Sequence, residues 1–192
     1  MKLNLRRPKI SIGVLACAAL TSVCLAPTSA AATTPSSSVA STSPADGQYA
    51  PYEGSRVVGP KNVSPQVESG VITAGSCKYK QAIDYPHRSG ADTSIHGWWL
   101  KYSGTCPSTA NVDVYLQAWW CDFYGCRWIT VASGSGNYYA GGGSGRRANA
   151  RRTCSSTARI VGWRGFVDVD LNGVSDPSGY TYSEIKNLYC SP

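Results

Sequence analysis

Histidine, methionine and phenylalanine are nearly missing from this chain, which has two, one and two of them among 192 residues. Also missing are the short motifs that carry much hydrolytic and phosphoryl-transfer chemistry. There is no H-E-x-x-H, no G-x-S-x-G, and no G-K-[ST] after the glycines of "SGSGNYYAGGGSG". Apolar residues at helical spacing are scarce, which argues against a helical bundle or an α/β fold. Only one long apolar run exists, Ile10 to Ala26, about 17 residues and at the short end of what crosses a bilayer. Acidic residues are absent between Arg127 and Arg164, a stretch that holds seven arginines.

What is present begins at the N-terminus, where Lys2, Arg6, Arg7 and Lys9 precede the apolar run and small residues suited to cleavage follow it. This is the layout of a secretory signal peptide over residues 1–30. Two weaker alternatives are an uncleaved N-terminal anchor and a lipoprotein box ending at Cys17. Cleavage removes four of the 18 basic residues and leaves 14 against 11 acids, so the formal net charge falls from +7 to +3. A charge that small selects no partner. Cys17 and Cys24 leave with the signal, and Cys77, Cys106, Cys121, Cys126, Cys154 and Cys190 remain. An even set in an exported chain reads as disulfides. The mature protein is therefore expected to be extracellular, with no membrane span.

Residues 31–70 are rich in Ser, Thr, Ala and Pro, as in "AATTPSSSVASTSPADGQ". Such a composition buries too little surface to offset its ordering entropy, and predicts a disordered spacer. Residues 71–192 remain as one domain. Runs rich in Val, Ile, Trp, Tyr and Thr, separated by Gly, Asp, Asn and Pro clusters, predict strands near 71–82, 95–103, 111–121, 126–133, 146–155, 159–171 and 179–189. A helical turn is the alternative for "YSEIKNLYC" in the last of them. This spacing predicts an all-β fold, a disulfide-stabilised antiparallel β-sandwich of immunoglobulin-like kind, with a small barrel as the second choice.

The segment "VYLQAWWCDFYGCRW", Val114 to Trp128, can be read as a hairpin in which Cys121 faces Cys126 across the loop Asp122-Phe123-Tyr124-Gly125. The facing pairs are then Trp119 with Trp128, Ala118 with Ile129, Gln117 with Thr130, Leu116 with Val131 and Tyr115 with Ala132. One face collects Val114, Leu116, Ala118, Ile129 and Val131, and the other Tyr115, Gln117, Trp119, Trp128 and Thr130. A slip of one residue would scatter the aliphatics over both faces, so the split supports the register. Facing Cβ atoms at ~4.5–5.5 Å are close to disulfide reach, making a Cys121–Cys126 bond feasible. Pairing Cys77 with Cys106 and Cys154 with Cys190 is preferred for the others, because each pair joins segments that can neighbour in an antiparallel meander. Other pairings stay open. Zinc at the C-x4-C pair would need a second ligand pair, which distant His87 and His96 do not supply in sequence.

The aromatic side of the hairpin, with Tyr115, Trp119 and Trp128, is expected to face solvent and to offer a flat apolar surface. Cover by the glycine-rich segment with Tyr138 and Tyr139 at its tip is the alternative. In "GWWL", neighbouring tryptophans must point to opposite faces; Trp98 is assigned to the core and Trp99 to the outside. Arg146, Arg147, Arg151 and Arg152 split two and two on a strand, which suits a charge-protected edge better than one anion-binding patch. Nucleic acid is accordingly not expected as a partner. Asp168, Asp170, Asn172 and Asp176 match part of a calcium loop, but the twelfth position is Gly179 rather than a bidentate carboxylate. A strand with Val167, Val169 and Leu171 inward, running into an Asn-Gly turn, explains them more simply.

The order Cys77, "YPH", Tyr102 to Cys106, Cys121, "CRW", Cys154 and Cys190 resembles small secreted β proteins of actinomycete bacteria. The resemblance covers residues 71–192 and implies export and a disulfide-linked β domain; it brings no catalytic or ligand residue. Taken with the absent motifs, it leads to a non-catalytic binding module, monomeric and without cofactor. The expected ligand is an extracellular polysaccharide or cell-envelope polymer held by Tyr115, Trp119 and Trp128. One alternative is a protein-binding hydrolase inhibitor using the Tyr138 and Tyr139 segment. Another is a hydrolase using Asp84 and His87 of "DYPHRSG".

Overall fold

The computed structural model describes residues 47–55 and 66–192. The signal segment with Cys17, and most of the expected spacer, lie outside the described residues. Twelve strands follow one another: β1 (Gln48–Tyr49), β2 (Val67–Glu68), β3 (Ile72–Ala74), β4 (Cys77–Ile83), β5 (His87–Ser89), β6 (Asp92–Gly104), β7 (Thr109–Asp122), β8 (Gly125–Tyr139), β9 (Ala148–Thr153), β10 (Ser156–Leu171), β11 (Thr181–Tyr182) and β12 (Lys186–Ser191). No helix occurs among the described residues, so "YSEIKNLYC" is extended rather than a helical turn.

The strands form two antiparallel six-stranded sheets. Sheet A holds β8–β7–β10 with β11 and β12 along β10, and β1 beside the end of β7. Sheet B holds β2 and β3 on β4, β4 and β5 on β6, and β9 on the other side of β6. The fold is a sandwich and not a closed barrel. Strand β7 shows the cause, because its inward residues Ala110, Val112, Val114, Leu116 and Ala118 are fully buried, while the residues between them are only half-buried. Val167, Val169 and Leu171 do the same on β10. Facing them across the core are Tyr79, Ile83, Ile95 and Trp99 from sheet B. The two indoles of the central core keep their N–H groups satisfied: Trp163 Nε1 donates to the Cys190 carbonyl at 3.1 Å and Trp99 Nε1 to the Tyr138 carbonyl at 2.8 Å.

All three disulfides join the expected partners, Cys77–Cys106, Cys121–Cys126 and Cys154–Cys190. The hairpin register also stands from Cys121–Cys126 through Trp119–Trp128 and Ala118–Ile129 to Gln117–Thr130. Beyond that a bulge intervenes, and Leu116 faces Ala132 while Tyr115 faces Ser133, one residue off the expected pairs. The extra residue flips the parity of β8, so that Ala132, Gly134, Gly136 and Tyr138 take the inward side. Residues 134–139, expected to belong to a glycine-rich loop, are strand.

Two further expectations are overturned. Trp99, not Trp98, joins the central core, and Trp98 lies buried on the outer side of sheet B beneath Gly142. The N-terminal piece 47–55, assigned to the spacer, is bonded to the sandwich: Ala50 N donates to Trp119 O, Gly162 N donates to Ala50 O, and Asn187 clamps the backbone of Tyr52 and Ser55.

Gly97 sits at a close approach between the sheets. A Cβ there would lie 2.6 Å from Val167 Cγ2 and 3.3 Å from Val114 Cβ. Gly97→Ala should therefore overpack the core and cost about 1–3 kcal/mol in urea denaturation. Adding Val167→Ala should return part of that loss, a coupling that a double-mutant cycle measures directly.

Candidate functional site

The outward residues of β8, β7 and β10 line up across three strands, because antiparallel register places facing residues on one side of the sheet. Trp128 and Trp119 form one row; Thr130, Gln117 and Arg164 the next; then Ser133, Tyr115 and Phe166; then Ser135, Asp113 and Asp168. β11 extends the third row with Tyr182, which pairs with Phe166.

The rings make a continuous strip. Trp119 and Trp128 have centroids 4.9 Å apart, and Tyr52 meets Trp119 edge-on at 5.0 Å and lies over Trp128 at 5.4 Å. The Arg164 guanidinium bridges to the other half, 4.5 Å from the Trp128 ring and 5.1 Å from Tyr182. There Tyr115 stacks on Phe166 at 4.6 Å, with Tyr180 and Tyr182 against the same Phe166 ring. The half-buried rings are thus held by one another, while Tyr180 and Tyr182 project to solvent.

Polar groups run beside the rings. Arg164 Nε donates to Gln117 Oε1 at 2.8 Å, and Gln117 Nε2 donates to Thr130 Oγ1 at 3.2 Å. Among the described residues no carboxylate pairs with Arg164, and burial holds its pKa below the ordinary guanidinium value. Two carboxylates at the far end are under the opposite pressure. Burial, then the Asp170 charge, raises the Asp168 carboxyl; burial, then Asp176 and Asp113, raises Asp170.

A raised carboxyl binds its proton more tightly in the folded chain than in the unfolded one. The stabilisation from protonation is present at low pH and is lost as pH rises through the folded value. Asp168→Asn should therefore stabilise the fold at neutral pH by less than about 1 kcal/mol, because solvent screens the site, and raise the melting temperature accordingly. At about pH 3, where the carboxyl is already protonated, the gain should vanish. Thermal melts at the two pH values check this.

Of the residues singled out from sequence, Tyr115, Trp119 and Trp128 share this face. Tyr138 and Tyr139 do not form a loop tip: Tyr138 packs against the core and Tyr139 is exposed at the end of β8. Cover over the tryptophans comes from Tyr52 instead of the glycine-rich segment. The exposed tip is the hairpin turn, with Phe123 at 77% and Tyr124 at 92% exposure. It is held by the Cys121–Cys126 bond, by Asp122 Oδ1 accepting from Tyr124 N, and by an Arg127–Asp122 ion pair of 2.6 Å that lowers the Asp122 pKa.

The partial calcium loop does not converge. Asp168, Asp170 and Asp176 form no group close enough for one ion among the described residues, because Asp176 Oδ2 accepts from Tyr79 Oη at 2.8 Å and from Leu171 N. The Asp84 and His87 of the hydrolase alternative are also rearranged, since Asp84 is bonded to His96 at 2.6 Å and lies 3.9 Å from His87. Neither imidazole is hydrogen-bonded to a Ser or Thr hydroxyl among the described residues.

Tyr52, Arg164, Phe166, Tyr180 and Tyr182 were not found from the sequence as members of the site. The outward placing of Phe166 was implicit in Val167, Val169 and Leu171 pointing inward, but only β10 lying beside β7 brings it to Tyr115. No protein-family model, curated protein or solved structure matches the chain.

Proposed function

We propose that this is an exported, non-catalytic binding module that holds a polysaccharide or other cell-envelope polymer on the outer face of sheet A. The observation that carries this reading is the aromatic strip from Trp128 and Trp119 through Arg164 to Phe166, Tyr115, Tyr180 and Tyr182. Sugar rings present C–H faces that stack on such aromatics, and hydroxyls that pair with neighbouring side chains. Gln117, Asp113 and Asp168 stand beside the rings to accept or donate those hydrogen bonds. Trp119 and Tyr115, four residues apart on one strand, are ~14 Å apart along it, which matches an extended polymer better than a single small molecule. Three disulfides are consistent with an oxidising compartment, and support the reading of residues 1–30 as an export signal.

Retention on a panel of insoluble polysaccharides and cell-wall preparations, followed by calorimetry with soluble oligosaccharides, tests the proposal. Retention on one or more polymers, competed by the matching oligosaccharide, is the expected result. Passage through the whole panel without retention would remove it.

A second reading, protein binding of the hydrolase-inhibitor kind, moves to the hairpin tip. Phe123 and Tyr124 protrude from a turn already fixed by a disulfide, so little ordering entropy opposes their insertion into a partner's cleft. Unchanged rates across a panel of proteases and glycosidases would dispose of it.

A further inference from the structure

We propose that Asp84, His87 and His96 form a binding site for one late first-row divalent ion of the Zn(II) or Cu(II) class, on the outer face of sheet B. The chain has two histidines in 192 residues, and both meet the same carboxylate. Each of the three residues can offer one donor atom such that all three lie within 4.8 Å of one another. Bonds of ~2.0–2.2 Å from one ion hold its ligands up to ~4 Å apart. Reaching ligand spacing therefore takes shifts of about 1 Å, His87 moving in and the Asp84–His96 contact opening.

The backbone explains how residues distant in sequence come together. Strands β4 and β5 lie along the same side of β6, with Ile83 facing Gly97 and His87 facing Ser94. Asp84, Tyr85 and Pro86 thus stand opposite only Ile95 and His96. In a regular strand Asp84 and His87, three apart, would point to opposite faces. The extra residue restores His87 to the side that carries Asp84 and His96.

Two of the three donors are set in place. Asp84 Oδ1 accepts from the His96 backbone N–H at 2.6 Å, and the Asp84 N–H donates to the His96 carbonyl at 3.1 Å. This fixes the carboxylate with Oδ2 turned to His96 Nδ1, 2.6 Å away, a hydrogen bond whose proton the ion displaces to solvent as the two atoms part to ligand spacing. His87 is the adjustable member, its side chain 27% exposed against 10% for His96. Its Nδ1 lies 2.9 Å from the Tyr85 carbonyl oxygen, an outer contact of the kind that orients ligating imidazoles.

The donor chemistry selects the ion. Two imidazoles with one carboxylate suit Zn(II), Cu(II) or Ni(II), whereas Ca(II) and Mg(II) require nearly all-oxygen sets. Thiolates do not compete in the described domain, since Cys77, Cys106, Cys121, Cys126, Cys154 and Cys190 are all in disulfides. Of the flanking charges, Arg151 pairs with Asp92 and Lys186 with Glu184, while Arg88 is bonded to carbonyl oxygens, so ligation rather than a general field provides the attraction. Three protein ligands leave a fourth position for water on the solvent side. The site is independent of the polymer-binding proposal, which concerns the other sheet.

The test uses the full chain, stripped with chelator, with Cys17 and Cys24 alkylated so that their thiols take no part. Calorimetric titration with zinc chloride should give one equivalent bound, and copper(II) should give an electron paramagnetic resonance spectrum with nitrogen couplings. With only two imidazoles present, those couplings identify the ligands. His87→Ala, at the exposed rim, should keep the melting temperature of the metal-free chain and weaken zinc binding at least ~10-fold. Asp84→Asn should weaken it similarly. Absence of stoichiometric binding, copper signals without nitrogen coupling, or a folded His87→Ala chain that binds zinc as tightly as the parent would each overturn the proposal. Should Asp84→Asn fail to fold, the His87→Ala result decides.

Discussion

Trp128→Ala is expected to cut affinity for the polymer that the protein retains at least ~30-fold, with the melting temperature shifted by no more than a few degrees. The two effects separate because Trp128 lies outside the core. Its ring is half-buried on the outer face of sheet A, against Trp119, Tyr52 and Arg164. Truncation removes the stacking surface, and also releases the Arg164 guanidinium from its position between Trp128 and Tyr182. Losses of about 2 kcal/mol or more are usual for a tryptophan at the centre of an interface, which is the ~30-fold stated. Trp119→Ala should act in the same direction. Tyr124→Ala, at the hairpin tip, should leave polymer binding unchanged, while in the inhibitor reading it should be the damaging substitution. Calorimetry on the three variants therefore separates the two functional readings as well as testing the first.

Replacing Cys154 and Cys190 together by serine should destabilise the fold by about 4 kcal/mol, roughly twice the effect of replacing Cys121 and Cys126. In the chain-entropy account, a cross-link across 36 residues restricts the unfolded chain by ~3.8 kcal/mol, and one across five by ~2 kcal/mol. Position reinforces the difference. Cys154 follows β9 of sheet B and Cys190 lies in β12 of sheet A, so this bond ties the sheets together. Cys190 is also fully buried, with its carbonyl accepting from Trp163 Nε1. The hairpin bond closes strands that fourteen register pairs already align. Urea denaturation followed by tryptophan fluorescence gives both values, and a larger loss at the hairpin pair would contradict this account.

The places where sequence reasoning failed have a common form. Alternation of side chains is a local property, and it located nearly every strand of the domain, the hairpin turn and the aliphatic face of β7. A single extra residue breaks it without changing composition. The bulge opposite Leu116 and Gln117 shifted Val131 off its expected partner and reversed which residues of the following segment, with Tyr138 and Tyr139, face inward. The irregular stretch at Asp84 to Pro86 put His87 beside His96. Trp98 and Trp99 were assigned the wrong way round for a related reason: both are buried, so adjacent apolar residues gave no indication of which side faced the other sheet. Tyr52 was missed because a Ser- and Pro-rich neighbourhood hides a short segment that is ordered by long-range contacts: hydrogen bonds to Asn187, β7 and β10, and ring packing on Trp119 and Trp128.

By itself the sequence determined the β class, the Cys121–Cys126 hairpin with Trp119 facing Trp128, and the shared outward face of Tyr115, Trp119 and Trp128. Those depend on contacts between residues near in the chain, where the period of two and the turn residues leave one consistent register. Only the tertiary structure decided that β10 lies along β7, bringing Arg164 and Phe166 to that face, and that both histidines converge on Asp84. Neighbouring strands far apart in sequence are chosen by how two whole sheets bury their apolar sides together, and no local pattern encodes that choice.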